Sequence, residues 1–87
     1  MLEELVGQVV VVDMRSPFVC LGTLKSFDDT WLEVRNADMH DLRDTPTSRE
    51  HYVAEARITG VKRNRRRILV SRAETAAIAL LEDVVHG

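Results

Sequence analysis

The side chains best able to do chemistry in this chain are arginines concentrated in one short segment. Residues 57–72 contain seven of the chain's 12 Lys and Arg residues and no Asp or Glu, although the net charge of the whole chain is −2. Guanidinium groups bind phosphate by charge and by paired hydrogen bonds, so the segment predicts contacts with a polyanion such as RNA. The alternatives are a solvated hairpin tip and a charged contact with the acidic first half of a neighbouring subunit. The candidate phosphate-binding residues are Arg57, Arg63, Arg65, Arg66 and Arg67.

A second candidate site lies where Asp28, Asp29 and Trp31 surround a predicted turn. An exposed tryptophan ring can stack on a nucleic-acid base, whereas a buried one would belong to the core or to a subunit interface. The two aspartates are placed to orient a base or a metal ion, but aspartates in turns also cap their own backbone. Trp31 and Asp29 are therefore the candidate base contacts.

The remaining reactive side chains form no recognised catalytic or metal-binding pattern. His40, His51 and His86 are the only histidines and Cys20 is the only cysteine, whereas a structural zinc site needs about four converging ligands. A Gly-rich phosphate loop, a nucleophile elbow and a His-based triad are all absent from the sequence. We expect no enzyme activity, no metal and no cofactor.

Length and composition predict one small domain. A chain of 87 residues buries a modest share of its surface, so its 45% hydrophobic content indicates either a dense monomeric core or an apolar subunit interface. A single cysteine cannot form an internal disulfide, and the acidic start at residues 1–4 is unlike a secretory leader, so we expect a cytoplasmic location. The apolar runs are far shorter than the roughly 20 residues that cross a bilayer, so no membrane partner is expected.

The apolar pattern predicts five short strands followed by a helix. The predicted strands are 8–14, 18–27, 31–37, 51–61 and 67–72, with a polar loop over 38–50 and a hairpin tip over 62–66. Valines on both faces of the first strand predict that both faces are covered, and Gly22 predicts a bend in the second. Ser71-x-x-Glu74 is typical of a capping box, and the apolar spacing after it predicts a C-terminal helix over 72–86. One domain would then span 1–87, with its strands in 1–72.

Two stretches of the sequence together resemble the Sm-like (Lsm) family. Leu5-Val6-Gly7 precedes a valine strand, and Gly22-Thr23-Leu24-Lys25-Ser26-Phe27-Asp28-Asp29 is similar to the Gly-x-Leu-x-x-Phe-Asp pattern of the first Sm motif. Leu32-x-Val34 and then Ala37 continue the likeness, which covers roughly residues 2–40.

The chain departs from the family at the positions that recognise a base. The family's asparagine is absent after Asp28-Asp29, where the segment is one residue short and Trp31 stands nearby. The Ile-Arg-Gly of the second Sm motif is only echoed by Ile58-Thr59-Gly60, and the family's usual helix is N-terminal. The fold therefore carries over better than the base-recognition site.

The resemblance implies a mainly β, strongly bent, five-stranded small barrel, here with a C-terminal helix. It also implies a homo-oligomeric ring, in which the fourth strand of one subunit pairs with the fifth of the next, and single-stranded RNA bound at its pore or rim. We expect an RNA-binding ring of this kind. The alternative is a structural or protein-interaction module that keeps the barrel and lacks base recognition.

Overall fold

The computed structural model describes residues 1–85 as a five-stranded antiparallel sheet with one α-helix. Its elements are β1 (Val9–Met14), β2 (Phe18–Phe27), β3 (Trp31–Asp41), α1 (Arg49–Thr59), β4 (Arg65–Ser71) and β5 (Thr75–Leu80), with short 3-10 turns at Leu2–Leu5, Leu42–Asp44 and Leu81–Asp83. The strand order is β4-β3-β2-β1-β5. Within residues 1–85, β4 and β5 are the two edges and do not pair with each other, so the sheet is not closed into a barrel.

The sheet separates two layers of apolar side chains. Because side chains alternate along a strand, Val10 and Val12 lie in one layer and Val11 lies in the other. The helix α1 covers the second layer, where its Val53 and Ala56 pack into the same cluster as Val11. The prediction that both faces of β1 are covered is confirmed.

The pairing of β2 with β3 is irregular at Gly22, where the register shifts. A Cβ atom on Gly22 would lie 2.6 Å from Cγ1 of Val34 and 2.9 Å from the carbonyl oxygen of Arg35. Asn36, on the facing strand, has a φ of 51°, in the left-handed region. The register shift lies at the glycine where the sequence predicts a bend, and it depends on the close approach of two backbones.

The predicted fourth strand over 51–61 is wrong, because α1 occupies this segment. Ser48 caps the helix by accepting a hydrogen bond from the amide of His51 at 3.2 Å, and Gly60, with a φ of 94°, ends it. Buried apolar side chains recur at helical spacing on its inner side. Of the predicted loop over 38–50, only 45–48 is irregular; 38–41 ends β3, 42–44 is a 3-10 turn and 49–50 starts α1.

The predicted C-terminal helix over 72–86 is also wrong. Its central residues form β5, which pairs antiparallel with β1. The expected capping box at Ser71 and Glu74 is a tight turn, in which the Thr75 hydroxyl donates to the Ser71 carbonyl at 2.8 Å. Pairing with the apolar β1 outweighs the helix propensity of alanine and leucine. Residue 86 of the predicted helix lies outside the described residues.

The other predicted elements are close to the observed ones. The second strand has the predicted bounds, the third extends four residues further to Asp41, and the predicted fifth strand is β4. The expected hairpin tip over 62–66 is a linker from α1 that runs into β4. Within residues 1–85, no helix combines the length and the apolar character needed to span a membrane.

Candidate nucleic-acid interface

Five basic side chains line one open groove beside the irregularity in β2 and β3. The groove, called the basic groove below, has a volume of about 750 Å³. Its lining residues are Thr23, Lys25, Arg35, Asn36, Arg63, Asn64, Arg65 and Arg66. No carboxylate of the described residues is part of this lining, although Arg35 is paired with the neighbouring Glu33.

Strand alternation makes two basic residues of the groove, Lys25 and Arg35, point outward. Lys25 follows the buried Leu24 on β2, and Arg35 follows the buried Val34 on β3. The register of the sheet then places Arg35 opposite Arg67 of β4. Basic residues from three strands therefore share one exposed face.

Asn64 fixes the linker that carries Arg63 into the groove and leads directly to Arg65. Its backbone N–H donates to a carbonyl of β3 at 2.8 Å. Its side-chain Oδ1 accepts from the amide of Met39 at 3.1 Å, and its Nδ2 donates to the carboxylate of Asp38 at 3.1 Å. These bonds hold both neighbouring arginines beside β3.

The carboxylate of Asp38 anchors both α1 and this linker. Asp38 is only 4% exposed, and it accepts hydrogen bonds from the Tyr52 hydroxyl and from Asn64. Burial raises the pKa of Asp38, although His40 and Lys62 act in the opposite direction. The ring of His40 stacks on that of Tyr52, with centroids 4.0 Å apart. The helix and the basic groove thus depend on one buried carboxyl group.

Glu33 is the centre of a polar cluster on the exposed face of β3 and β4. Its Oε2 accepts hydrogen bonds from Nε of Arg67 at 2.7 Å and from Nε of Arg35 at 2.8 Å. Its Oε1 accepts from the Ser26 hydroxyl at 3.0 Å. These donors, with Arg67 the strongest, lower the pKa of Glu33 to about 2. Glu33 therefore remains ionised beside two arginines at neutral pH.

Trp31 lies on the same face of β3, four residues from Arg35. Its side chain is 42% exposed and lines a shallow pocket together with Leu69, which is 43% exposed. Four strand residues span about 13 Å. In this chain the Trp31 ring is therefore at the surface rather than in the core. A single extended ligand could contact both this ring and the basic groove.

Two predicted contacts, Asp29 and Arg57, lie apart from this face. Asp29 is exposed at the tip of the β2–β3 turn. Its neighbour Asp28 caps that turn by accepting two backbone N–H groups at 2.8 Å each, and these bonds lower the pKa of Asp28. Arg57 lies on α1 and donates from Nη1 to the carbonyl of Val84 at 2.9 Å, which ties the C-terminal segment to the helix.

The sequence identified Arg63, Arg65 and Arg66 as candidates but missed Lys25 and Arg35. Alternation with buried neighbours shows that these two residues face outward. It does not show which strands lie side by side, and this information comes from the sheet register.

The cysteine and the described histidines do not create a second kind of site. Cys20 is buried in the apolar layer with Val10, and burial raises the pKa of its thiol to about 12. Within residues 1–85, no three His, Cys, Asp or Glu side chains are grouped closely enough to hold a metal ion.

Comparison with known proteins finds no matching family and no matching curated protein.

Proposed function

We propose that this protein is an Sm-like RNA-binding protein that acts in the cytoplasm as a homo-oligomeric ring and not as an enzyme. The observation that carries this proposal is the basic groove, with five cationic side chains and no carboxylate in its described lining. Arg35 and Arg65 form hydrogen bonds with neighbouring residues, whereas Lys25, Arg63 and Arg66 form none within residues 1–85. These three side chains can bind phosphate without giving up an existing bond, and binding would release counterions from the nucleic acid.

The Sm-like part of the proposal is supported by the motif residues and by the strand order. The segment 22–29 carries the motif, and its glycine stands where a side chain would collide with β3. Within residues 1–85, the edge strands β4 and β5 each leave a row of backbone donors and acceptors unpaired. Pairing of β4 with β5 of another copy would satisfy both rows, and its repetition around a ring would leave no free edge.

A protein-interaction module is the second candidate, and the surface near the β2–β3 turn favours it. Trp31 and Leu69 expose apolar area beside the edge strand β4. The carboxylate of Asp28 is occupied by its own turn, and no asparagine stands there to recognise a base. A partner protein that packs on this outer face would cover the apolar patch.

The test is binding of a mixed-sequence single-stranded RNA, measured by fluorescence anisotropy over a range of salt concentrations. The double variant Arg65→Ala/Arg66→Ala is expected to bind more weakly. Because each phosphate contact on a single strand contributes about 0.7 to the slope of log K against log[salt], the slope should become shallower by about 1.4. Arg15→Ala, which removes an exposed arginine from the β1–β2 turn, is the control and should leave the slope unchanged.

Light scattering separates the two candidate functions. An assembly of several subunits that gains mass with RNA supports the proposal. An assembly that ignores RNA at low salt supports the protein-interaction module, and a monomer under all conditions contradicts the ring.

A further inference from the structure

The Glu33 cluster holds two arginines in an unusual way. A single carboxylate oxygen, Oε2, accepts from Nε of both Arg35 and Arg67. Neither arginine uses its Nη1 or Nη2 atom in a hydrogen bond with residues 1–85. Glu33 is itself held by Ser26, and its side chain is 15% exposed, whereas about half of each arginine side chain is exposed.

The unused Nη donors of both arginines can still bind phosphate. A guanidinium group presents its N–H donors in a fixed planar fork, and the two Nη atoms can bond to two oxygens of one phosphate. With Nε held by Glu33, each guanidinium is already oriented before a ligand arrives, so less side-chain freedom is lost on binding. The cluster therefore has the geometry of a preorganised anion site.

The position of the cluster indicates the kind of phosphate ligand. It lies between the exposed Trp31 and Leu69 on one side and the basic groove on the other, along the outer face of β3 and β4. A strand with unpaired bases can place a base on an exposed aromatic ring while its backbone follows a basic track, and a duplex keeps its bases inside. This arrangement favours a single strand.

We propose that Arg35 and Arg67 form a phosphate clamp for single-stranded nucleic acid, and that Glu33 is the residue that positions the clamp. This inference rests on the RNA-binding function proposed above. The clamp predicts a change in RNA affinity opposite to the one that simple electrostatics predicts. Removing a negative charge from a basic surface should strengthen RNA binding, whereas removing the residue that orients the clamp should weaken it.

The test is the affinity of Glu33→Gln for the same single-stranded RNA, with folding checked by circular dichroism and thermal unfolding. We expect binding about 3- to 10-fold weaker than wild type, from the lost ordering of the two side chains. Glu4→Gln makes the same charge change at an exposed position and should bind as well as wild type or better. A duplex of the same sequence should bind more weakly than the single strand.

The same Glu33→Gln change made in a protein that lacks both clamp arginines shows whether Glu33 acts through them. In the Arg35→Ala/Arg67→Ala protein, adding Glu33→Gln should cause no further loss of affinity. If Glu33→Gln does not fold, Ser26→Ala is used instead, since it removes the bond that fixes the Glu33 carboxylate, and a severalfold loss is again expected.

The outcomes separate this inference from the proposed function. If the glutamine variant binds as tightly as wild type or tighter, while Arg65→Ala/Arg66→Ala weakens binding, the clamp is wrong and the RNA function stands. If further loss appears in the background without Arg35 and Arg67, Glu33 does not act through them and the clamp is again wrong. If wild type binds no RNA, both proposals fail.

Discussion

Replacement of Gly22 by alanine should damage both the fold and the basic groove. The new Cβ would lie 2.6 Å from Cγ1 of Val34, 2.9 Å from the carbonyl oxygen of Arg35 and 3.0 Å from Cα of Ala37. Ordinary contacts begin near 3.4 Å, so these atoms are too close by about 0.8, 0.5 and 0.4 Å. Two of the three are backbone atoms, and the third belongs to a fully buried side chain, so none can move away freely.

The magnitude follows from the rigidity of this site. Overpacking a core costs about 1–3 kcal/mol, and a collision with backbone places Gly22→Ala at or above the upper end. A loss of about 3 kcal/mol in a domain of this size lowers Tm by about 12–24 °C. The same displacement would move Arg35 and Asn36, which line the basic groove, so RNA affinity should fall as well.

Urea denaturation measures the effect, with circular dichroism and the fluorescence of Trp31 as two independent probes. Gly7→Ala is the matched control, because its Cβ would meet nothing within 4 Å but its φ is 86°. The backbone conformation alone costs about 1–2 kcal/mol at Gly7. If Gly22→Ala is no more destabilising than Gly7→Ala, the close approach of β2 and β3 does not limit the sheet.

Three further changes test the anchors of the fold. Asn64→Ala removes a partner from the buried Asp38 and should lower the free energy of unfolding by about 1–3 kcal/mol, measured in urea. Because the folded pKa of Glu33 is lowered to about 2, its contribution to stability is complete above about pH 4.5 and is lost as the pH falls toward 2. Glu33→Gln should lack that contribution, so its difference from wild type should shrink over the same range in urea denaturation at pH 2–6. Arg57→Ala should cost about 0.5–1.5 kcal/mol and increase amide exchange near Val84, because their hydrogen bond is lost.

The first half of the fold is predictable from sequence because it depends on local patterns. The valines of β1 and the alternation around Leu24 and Val34 are signals that extend over a few residues. The bounds of β2 and the irregularity at Gly22 follow from apolar runs interrupted by a glycine. In these segments each local preference agrees with the tertiary structure.

The second half is harder to predict because two segments depend on distant partners. The predicted strand over 51–61 includes Ile58, which is 75% exposed and contributes nothing to the core. The local helix signals of this segment are the capping residues Ser48 and Gly60. No local signal identifies β5, because an alanine-rich segment becomes a strand only when β1 offers it a free edge.

The candidate site also contains residues that the sequence identifies and residues whose roles depend on the tertiary structure. Arg63, Arg65 and Arg66 are neighbours in sequence, so composition alone identifies them. The roles of Arg35 and Glu33 depend on the register that places β3 beside β4, and no short-range pattern contains that register. Sequence alone therefore identified the charge of this surface and missed the acidic residue that orients it.

The segment predicted as a strand over 51–61 is α1, and the segment predicted as a C-terminal helix contains β5. This difference changes what β4 can do. With β5 beside β1, β4 is a free edge of the sheet within residues 1–85 and also carries the segment from Arg65 to Arg67. Backbone hydrogen bonds of a strand lie in the plane of the sheet, whereas its side chains stand perpendicular to that plane. A neighbouring subunit can therefore pair with β4 while the outward arginines remain on the face that leads from the basic groove to Trp31. Assembly through β4 would extend that face into the next subunit, so an RNA that spans two subunits should stabilise the oligomer by an amount that grows with the logarithm of its affinity.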